Sequence, residues 1–378
     1  MLSQVASSTH ASPVRRVGKE PAAVEMNNHV LIEITGTAGA DEARRVSFDL
    51  ARQAAFDDGV AERAALIATE ATANILRHAG AGQILARVVG ETEPAVEIIA
   101  FDRGPGIAHL SAAMRGGYST SGGSGLGLRA MSRASNLFDI YSRPGQGTAL
   151  LAQVWARSLR YYATTRDYAA PRVRSGAISM AGSGASPADS PVVASGSPPG
   201  GRMIGDAWAA KHQPSRSLIM VASGLGQGEE AARTATEAVR VIEEVHRLAP
   251  AEILEIIHEA LDGTRGASVA VAEIRLSNGS SEIRFAGVGN IAARVVNAGG
   301  ARHLSSLHGI VGYDAEVQEF THPWPAHSTL VMHSDGLSAG WNTEDYPGLL
   351  ASHPALIAAV LHRDYNCGLD DATVVVAK

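Results

Sequence analysis

The 378-residue chain has one cysteine, Cys367. A lone thiol excludes an intramolecular disulfide and suits a reducing compartment. No apolar run approaches the length of a membrane span, and the N-terminus lacks a basic-then-apolar leader pattern. The chain is therefore expected to be cytoplasmic and to work away from the membrane. Strong charge of either sign is also missing: the formal net charge is −6. A mild acidic balance argues against nucleic acid as a partner. The 14 histidines show no metal-ligand spacing. A length of 378 residues leaves room for two domains.

Two neighbouring stretches carry the first half. Val96–Phe101 alternates as a strand does, and Asp102 closes it. Gly104 and Gly106 then turn the chain in FDRGPGI. A carboxylate at a strand end can accept a hydrogen bond from the exocyclic amine of a purine. The second stretch, Ser119–Leu128, reads STSGGSGLGL and leads into a helix over Arg129–Ala134. Its glycines, Gly123, Gly125 and Gly127, with Leu126 among them, leave backbone N–H groups open to phosphate. A helix N-terminus favours the same anion.

Upstream, the spacing of Ala64, Ala65, Ile67, Ala68, Ala71, Ile75 and Leu76 is helical. Glu70 and Asn74 lie four apart and share a face of that helix. Such a pair can take a proton from a nucleophile and hold a metal bound to phosphate. The full order is Glu70 and Asn74, then Asp102-x-Gly104-x-Gly106, then Gly125-Leu-Gly127-Leu, then Gly145-Gln-Gly-Thr148. This order resembles the histidine-kinase-like ATPase fold. More closely it resembles the serine kinases that act as anti-sigma factors and stressosome switch kinases. The resemblance implies ATP and Mg2+ as cofactors. It also implies Glu70 as the base and Asn74 on the metal. Asp102, Gly104, Gly106, Gly123, Gly125, Leu126, Gly127 and Thr148 would surround the nucleotide.

The expected elements of this half are a strand over His29–Thr35, a helix over Asp41–Asp58, the Glu70 helix and strands over Ile84–Val89, Val96–Phe101 and Thr148–Trp155. One more strand falls within Ala134–Ser142. They predict an α/β sandwich: a mixed sheet with helices on one face. Residues 1–28 read as a disordered tail, 29–157 as the ATP-binding domain and 158–171 as a connector. Residues 172–378 form a second domain with a Gly-, Ser- and Pro-rich flexible loop at 181–202.

The second domain opens with Ala177–Met180 and continues with a strand at Ser217–Ala222. Helices are expected over Glu229–Leu248 and Pro250–Leu261, followed by five further strands. Asp206, Asp335, Asp370 and Asp371 fall at strand ends or turns, where hard divalent cations find oxygen ligands. Gly205-Asp206-Ala-Trp208, Gly224-Leu-Gly226, His333-Ser-Asp-Gly336 and Asp370-Asp-Ala-Thr373 resemble the metal-dependent serine/threonine phosphatases of the sporulation and stressosome branch. The resemblance implies a PP2C-like α-β-β-α sandwich with Mn2+ or Mg2+ on Asp206, the Gly224 carbonyl, Asp335 and Asp370. One position departs from the pattern: the glycine turn opens with Ser223, where that family has a metal-bridging aspartate.

Taken together, the fold class expected is α+β, an ATPase sandwich followed by a phosphatase sandwich. The chain resembles a fused regulator of bacterial partner switching. That likeness implies an ATP-dependent serine/threonine kinase acting on a small STAS-type anti-anti-sigma antagonist, with a sigma factor or stressosome component as further partner. The same likeness leads one to expect a phosphatase half impaired by Ser223 in place of the bridging aspartate. The alternative is an ATP-sensitive binding scaffold with an inactive phosphatase half.

Overall fold

A computed structural model describes residues 25–26, 29–90, 94–115, 126–156, 173–180, 204–277 and 280–378. In chain order the first elements are β1 (Glu25–Met26), β2 (Val30–Ile34), α1 (Thr37–Gln53), α2 (Asp58–His78), β3 (Gly82–Val89), β4 (Ala95–Asp102), α3 (Leu110–Arg115), α4 (Gly127–Ala134), β5 (Leu137–Ser142) and β6 (Thr148–Trp155). Five of the strands form a sheet in the order β2-β3-β4-β6-β5. Every pairing in it is antiparallel, so it is not the mixed sheet expected. Alternation along the strands sends successive side chains to opposite faces. Ile84, Ile98, Ala100, Leu150 and Ala152 pack under α1 and α2. Leu85, Ile99, Phe101 and Leu151 point the other way, into a second core.

The helix expected over Asp41–Asp58 runs instead over Thr37–Gln53, and the helix that carries Glu70 already begins at Asp58. Ala55 takes a positive φ of 58° after α1 ends. The Asp57 side chain then accepts the Val60 N–H at 2.9 Å. An aspartate in that position starts a helix rather than prolonging one.

The second half comprises β7 (Ser175–Met180), β8 (Asp206–His212), β9 (Arg216–Gly224), α5 (Glu229–Val245), α6 (Pro250–Ala260), β10 (Ala267–Arg275), β11 (Glu282–Val288), β12 (Ala292–Asn297), β13 (Gly300–Leu304), β14 (Gly309–Ile310), β15 (Asp314–Ala315), β16 (Glu319–Pro323), β17 (Thr329–His333), α7 (Pro354–Tyr365) and β18 (Ala372–Ala377). Two sheets, β1-β8-β9-β10-β11-β16 and β13-β12-β17-β18-β7, face each other. Trp208, Phe285, Met332 and Val375 fill the space between them. Helices α5 and α6 cover the outside of the first sheet, and α7 covers the second. Within the stretch read as a tail, β1 instead pairs antiparallel with β8. Residues 1–24, the connector 158–171 and the loop 181–202 lie outside the described residues.

Helix α7 was not expected from the sequence. Residues Pro354 to Arg363 are all buried. A helix apolar on every side shows no amphipathic period and must be covered all round. Its two covers come from the two halves. Leu356 and Val360 share a core with Leu85, Ile99, Phe101 and Leu151 on one side and with Val331 and Val376 on the other. Each large side chain buried there contributes about 1.5–3 kcal/mol. The sheet of the first half is thus covered on both faces. Alongside, Arg87 and Glu97 form a buried ion pair at 2.8 Å, and the Arg87 guanidinium lies 5.4 Å from the Trp208 ring centre. No helix among the described residues is long and apolar enough to cross a membrane.

Candidate functional site

The alanine-rich side of α2 packs into the core with Ala64, Ile67, Ala68, Ala71 and Ile75. That fixes the rotation of the helix and leaves Glu70 and Asn74 half-buried, one turn apart. Both reach the start of α4. A Cβ at Gly127 would stand 2.7 Å from Glu70 Oε2 and 3.6 Å from Asn74 Oδ1. A glycine therefore opens α4 where the carboxylate and amide converge. Leu126, just before it, is half exposed. Gly123 and Gly125 lie outside the described residues.

Asp102 ends β4. Its Oδ1 accepts the Gly104 N–H at 2.8 Å and the Thr148 N–H at 3.3 Å. Burial raises the pKa of this carboxyl, and the two N–H bonds pull it back down. Two glycines make the surrounding turns possible. Gly106 has φ 69° and its Cβ would fall 1.9 Å from the Arg143 carbonyl oxygen. At Gly147, with φ 80°, the Cβ would fall 2.0 Å from the Asp102 carbonyl oxygen. Ser142 fastens the two turns together: its hydroxyl accepts the Ile107 N–H at 2.8 Å and donates to the Gly147 carbonyl at 3.0 Å. No periodicity in the sequence marks Ser142. The residues present fit a nucleotide bound with a divalent cation. Two N–H groups orient the Asp102 carboxylate, and the missing Cβ of Gly127 leaves a cradle beside Glu70 and Asn74.

A second cluster lies in the other half. Sheet register sets Ser223 opposite Asp206 and opposite Ser268. Asp206 is buried and accepts the Ser334 hydroxyl at 2.5 Å. Burial pushes its pKa up to about 7, while hydrogen bonds from Ser334 and Ser223 pull it down and the Asp371 charge raises it further. Asp371 accepts the Gly205 N–H. Asp335 accepts from the Asn290 amide, and burial together with the Asp370 charge raises its pKa. Gly224 packs against α5, where a Cβ would meet the Ala231 carbonyl oxygen at 2.2 Å. The Asp371 charge thus acts on Asp206 and the Asp370 charge on Asp335. Among the described residues, no three His, Cys, Asp or Glu side chains are grouped to hold a metal ion. The ligand set expected from Asp206, Gly224, Asp335 and Asp370 does not fit a two-metal centre, because a neutral hydroxyl stands where a bridging carboxylate is needed. Ser334, inside the His333-Ser-Asp-Gly336 motif, is the partner of Asp206 that the sequence reading passed over.

Residues 37–154 match the family model described as the histidine kinase-like ATPase domain. Residues 213–378 match that of stage II sporulation protein E (SpoIIE). The chain is similar to the serine/threonine-protein kinase RsbT of Bacillus subtilis (strain 168): 33% identical over 133 residues, which is 35% of this chain and all of that protein. Among solved structures, a chain from work on the bacterial stressosome is 25% identical, with a TM-score of 0.46, covering 55% of this chain and 100% of its own length. The PP2C phosphatase domain of SpoIIE from Bacillus subtilis, with a fragment of its regulatory domain, is 14% identical, with a TM-score of 0.42. That likeness covers 90% of this chain and 93% of the other.

Proposed function

Because the chain belongs to the family of the serine/threonine-protein kinase RsbT and carries a SpoIIE-type phosphatase domain behind that module, we propose that it is a cytoplasmic partner-switching regulator. Its first half phosphorylates a serine or threonine of a small STAS-type antagonist. The convergence of Glu70 and Asn74 on the open start of α4 carries this reading. ATP with Mg2+ supplies the phosphoryl group and the charge that neutralises it. Glu70 takes the proton of the attacking hydroxyl, help typically worth ~10²–10⁴ in rate. Asn74, one turn on, offers its amide oxygen to the cation. Asp102 accepts the adenine amine, and Gly104, Gly106 and Thr148 hold the backbone around it. The N-terminus of α4 at Gly127, with Leu126 before it, faces the phosphates. Gly123 and Gly125 complete that loop in the sequence. Such an antagonist links the protein to a sigma factor or stressosome component.

The second half is impaired as a phosphatase in this reading. Two dications held close together repel, and a bridging carboxylate offsets that repulsion, whereas the Ser223 hydroxyl carries no charge. No hydrolytic step is therefore assigned to Asp206, Asp335 or Asp370. Ser223 also favours a second reading, an ATP-sensitive scaffold that holds its partner without chemistry in that half. The two part in one assay: labelled ATP, the purified chain and a purified STAS-type antagonist. Label on a serine or threonine of the antagonist supports the kinase. Stable complex formation without transfer supports the scaffold.

A further inference from the structure

Hydrogen bonds from β5, from the turn after it and from the end of β4 tie the first half to the other half of the chain. The Asp139 carboxylate accepts the His353 N–H at 2.7 Å. Arg143 donates to the Asp345 carbonyl. Another involves Asp102 itself. Arg363, in the last turn of α7, is buried and donates from Nη1 to the Asp102 carbonyl oxygen at 3.3 Å. Arg103, the next residue, donates back to the Arg363 carbonyl.

The arginine is held in place before it reaches the pocket. Its Nε and Nη2 grip the Asp364 carboxylate at 2.7 and 2.8 Å. The Tyr346 hydroxyl donates to the same carboxylate at 2.9 Å. A planar fork with two of its donors engaged keeps little freedom for the third. The Asp102 carbonyl is also the atom against which Gly147 packs. The last residue of β4 is therefore fixed at its carboxylate by Gly104 and Thr148 and at its carbonyl by Arg363. The carboxylate is held from within its own half, and the carbonyl is held from outside it.

We propose that Arg363 is a positioning residue of the nucleotide pocket, contributed by the phosphatase-like half: it holds the Asp102 peptide so that the carboxylate meets the adenine amine. This rests on the reading of Asp102 as the adenine acceptor. It makes base recognition a property of the fused chain. A group that acts on base recognition alone should change the preference for adenine over guanine, because guanine offers a carbonyl where adenine offers an amine. A group that only stabilises the fold should not.

The test uses the full chain and calorimetry with non-hydrolysable ATP and GTP analogues and Mg2+. Arg363→Met keeps the aliphatic stem and removes the donors. It is expected to lower affinity for the ATP analogue about tenfold, the scale of a small misplacement of a recognition group, while GTP-analogue affinity stays nearly constant. Arg363→Lys restores part of the loss. Equal weakening of both analogues, or no change in either, overturns the proposal. If Arg363→Met does not fold, Asp364→Asn decides, since it frees the fork without removing the guanidinium. It should narrow the ATP-to-GTP preference, and an unchanged preference overturns the idea. Asp102→Asn, measured in parallel, separates the two readings. If it weakens ATP-analogue binding and Arg363→Met does not, the arginine alone loses its role. If Asp102→Asn changes nothing, the adenine assignment falls and the proposal falls with it.

Discussion

Glu70 and Gly127 meet where α2 passes the start of α4, with room for the Glu70 carboxylate only because Gly127 has no Cβ, which would stand 2.7 Å from Oε2. Glu70 is half-buried and its carboxylate ends a flexible side chain, so Gly127→Ala is expected to fold and to push the carboxylate aside. Phosphotransfer should then fall ~10–100-fold, as it does when a catalytic group is displaced by about an ångström. ATP affinity should change little. Single-turnover rates with labelled ATP measure this, and a wild-type rate in the variant would contradict the placement of the base.

Asp102→Asn replaces a pure acceptor by an amide that also donates. With the adenine amine left without a good partner, ATP binding should weaken by ~1–3 kcal/mol. Calorimetry on the whole chain reports it. Undiminished affinity would remove Asp102 from the pocket.

The buried histidine His362 gives a test by pH. Burial holds its pKa down to about 4, with the Arg103 charge acting in the same direction. In the unfolded chain the ordinary value is 6.5, so between the two the unfolded state binds the extra proton. Stability from this group is then full above pH 6.5 and lost as pH falls toward 4, by at most about 1.4 kcal/mol per pH unit. Other groups titrate too, Asp206 in the opposite sense, so the quantity to follow is the difference between the natural chain and His362→Asn. The denaturation midpoints of the two should draw together as pH drops from 7.5 to 4.5. A constant gap would show that His362 is not held neutral.

Ser223→Asp sets a second carboxylate opposite Asp206, whose pKa is already pushed up to about 7 by burial. Without metal the two acids oppose each other, and the variant should melt earlier than the natural chain. Millimolar Mn2+ should reverse that loss, since a ligand bound only to the folded state stabilises it. Hydrolysis of a phosphorylated antagonist should appear only in the variant. Brisk hydrolysis by the natural chain would contradict the impaired reading.

Much of the geometry of the candidate nucleotide site was legible because its motifs are local. Asp102, Gly104 and Gly106 lie within one turn, and β6 spans Thr148–Trp155, the range expected for it. Glu70 and Asn74 followed from helical spacing. What escaped notice depends on distant partners. Helix α7 is apolar on all sides and so presents neither a helical stripe nor a strand alternation. Its role as a wall common to both halves exists only in the packed chain, as does the bond from Arg363 to Asp102. The break between α1 and α2 was expected after Asp58 and lies at residues 54–57 instead, because Ala54 and Ala55 favour helix while Asp57 competes to cap the next one. In the second half, the motif acids stood out, but the register that sets Ser223 opposite Asp206 is not displayed by a single sequence.

The most direct test of the kinase assignment is Glu70→Gln in the full chain, assayed with labelled ATP and the STAS-type antagonist. The amide keeps the size of the side chain and loses its basicity, so ATP affinity by calorimetry should match the natural chain while phosphotransfer falls ~10²–10⁴-fold. Phosphotransfer at the natural rate, with ATP still bound, would contradict the account at its centre.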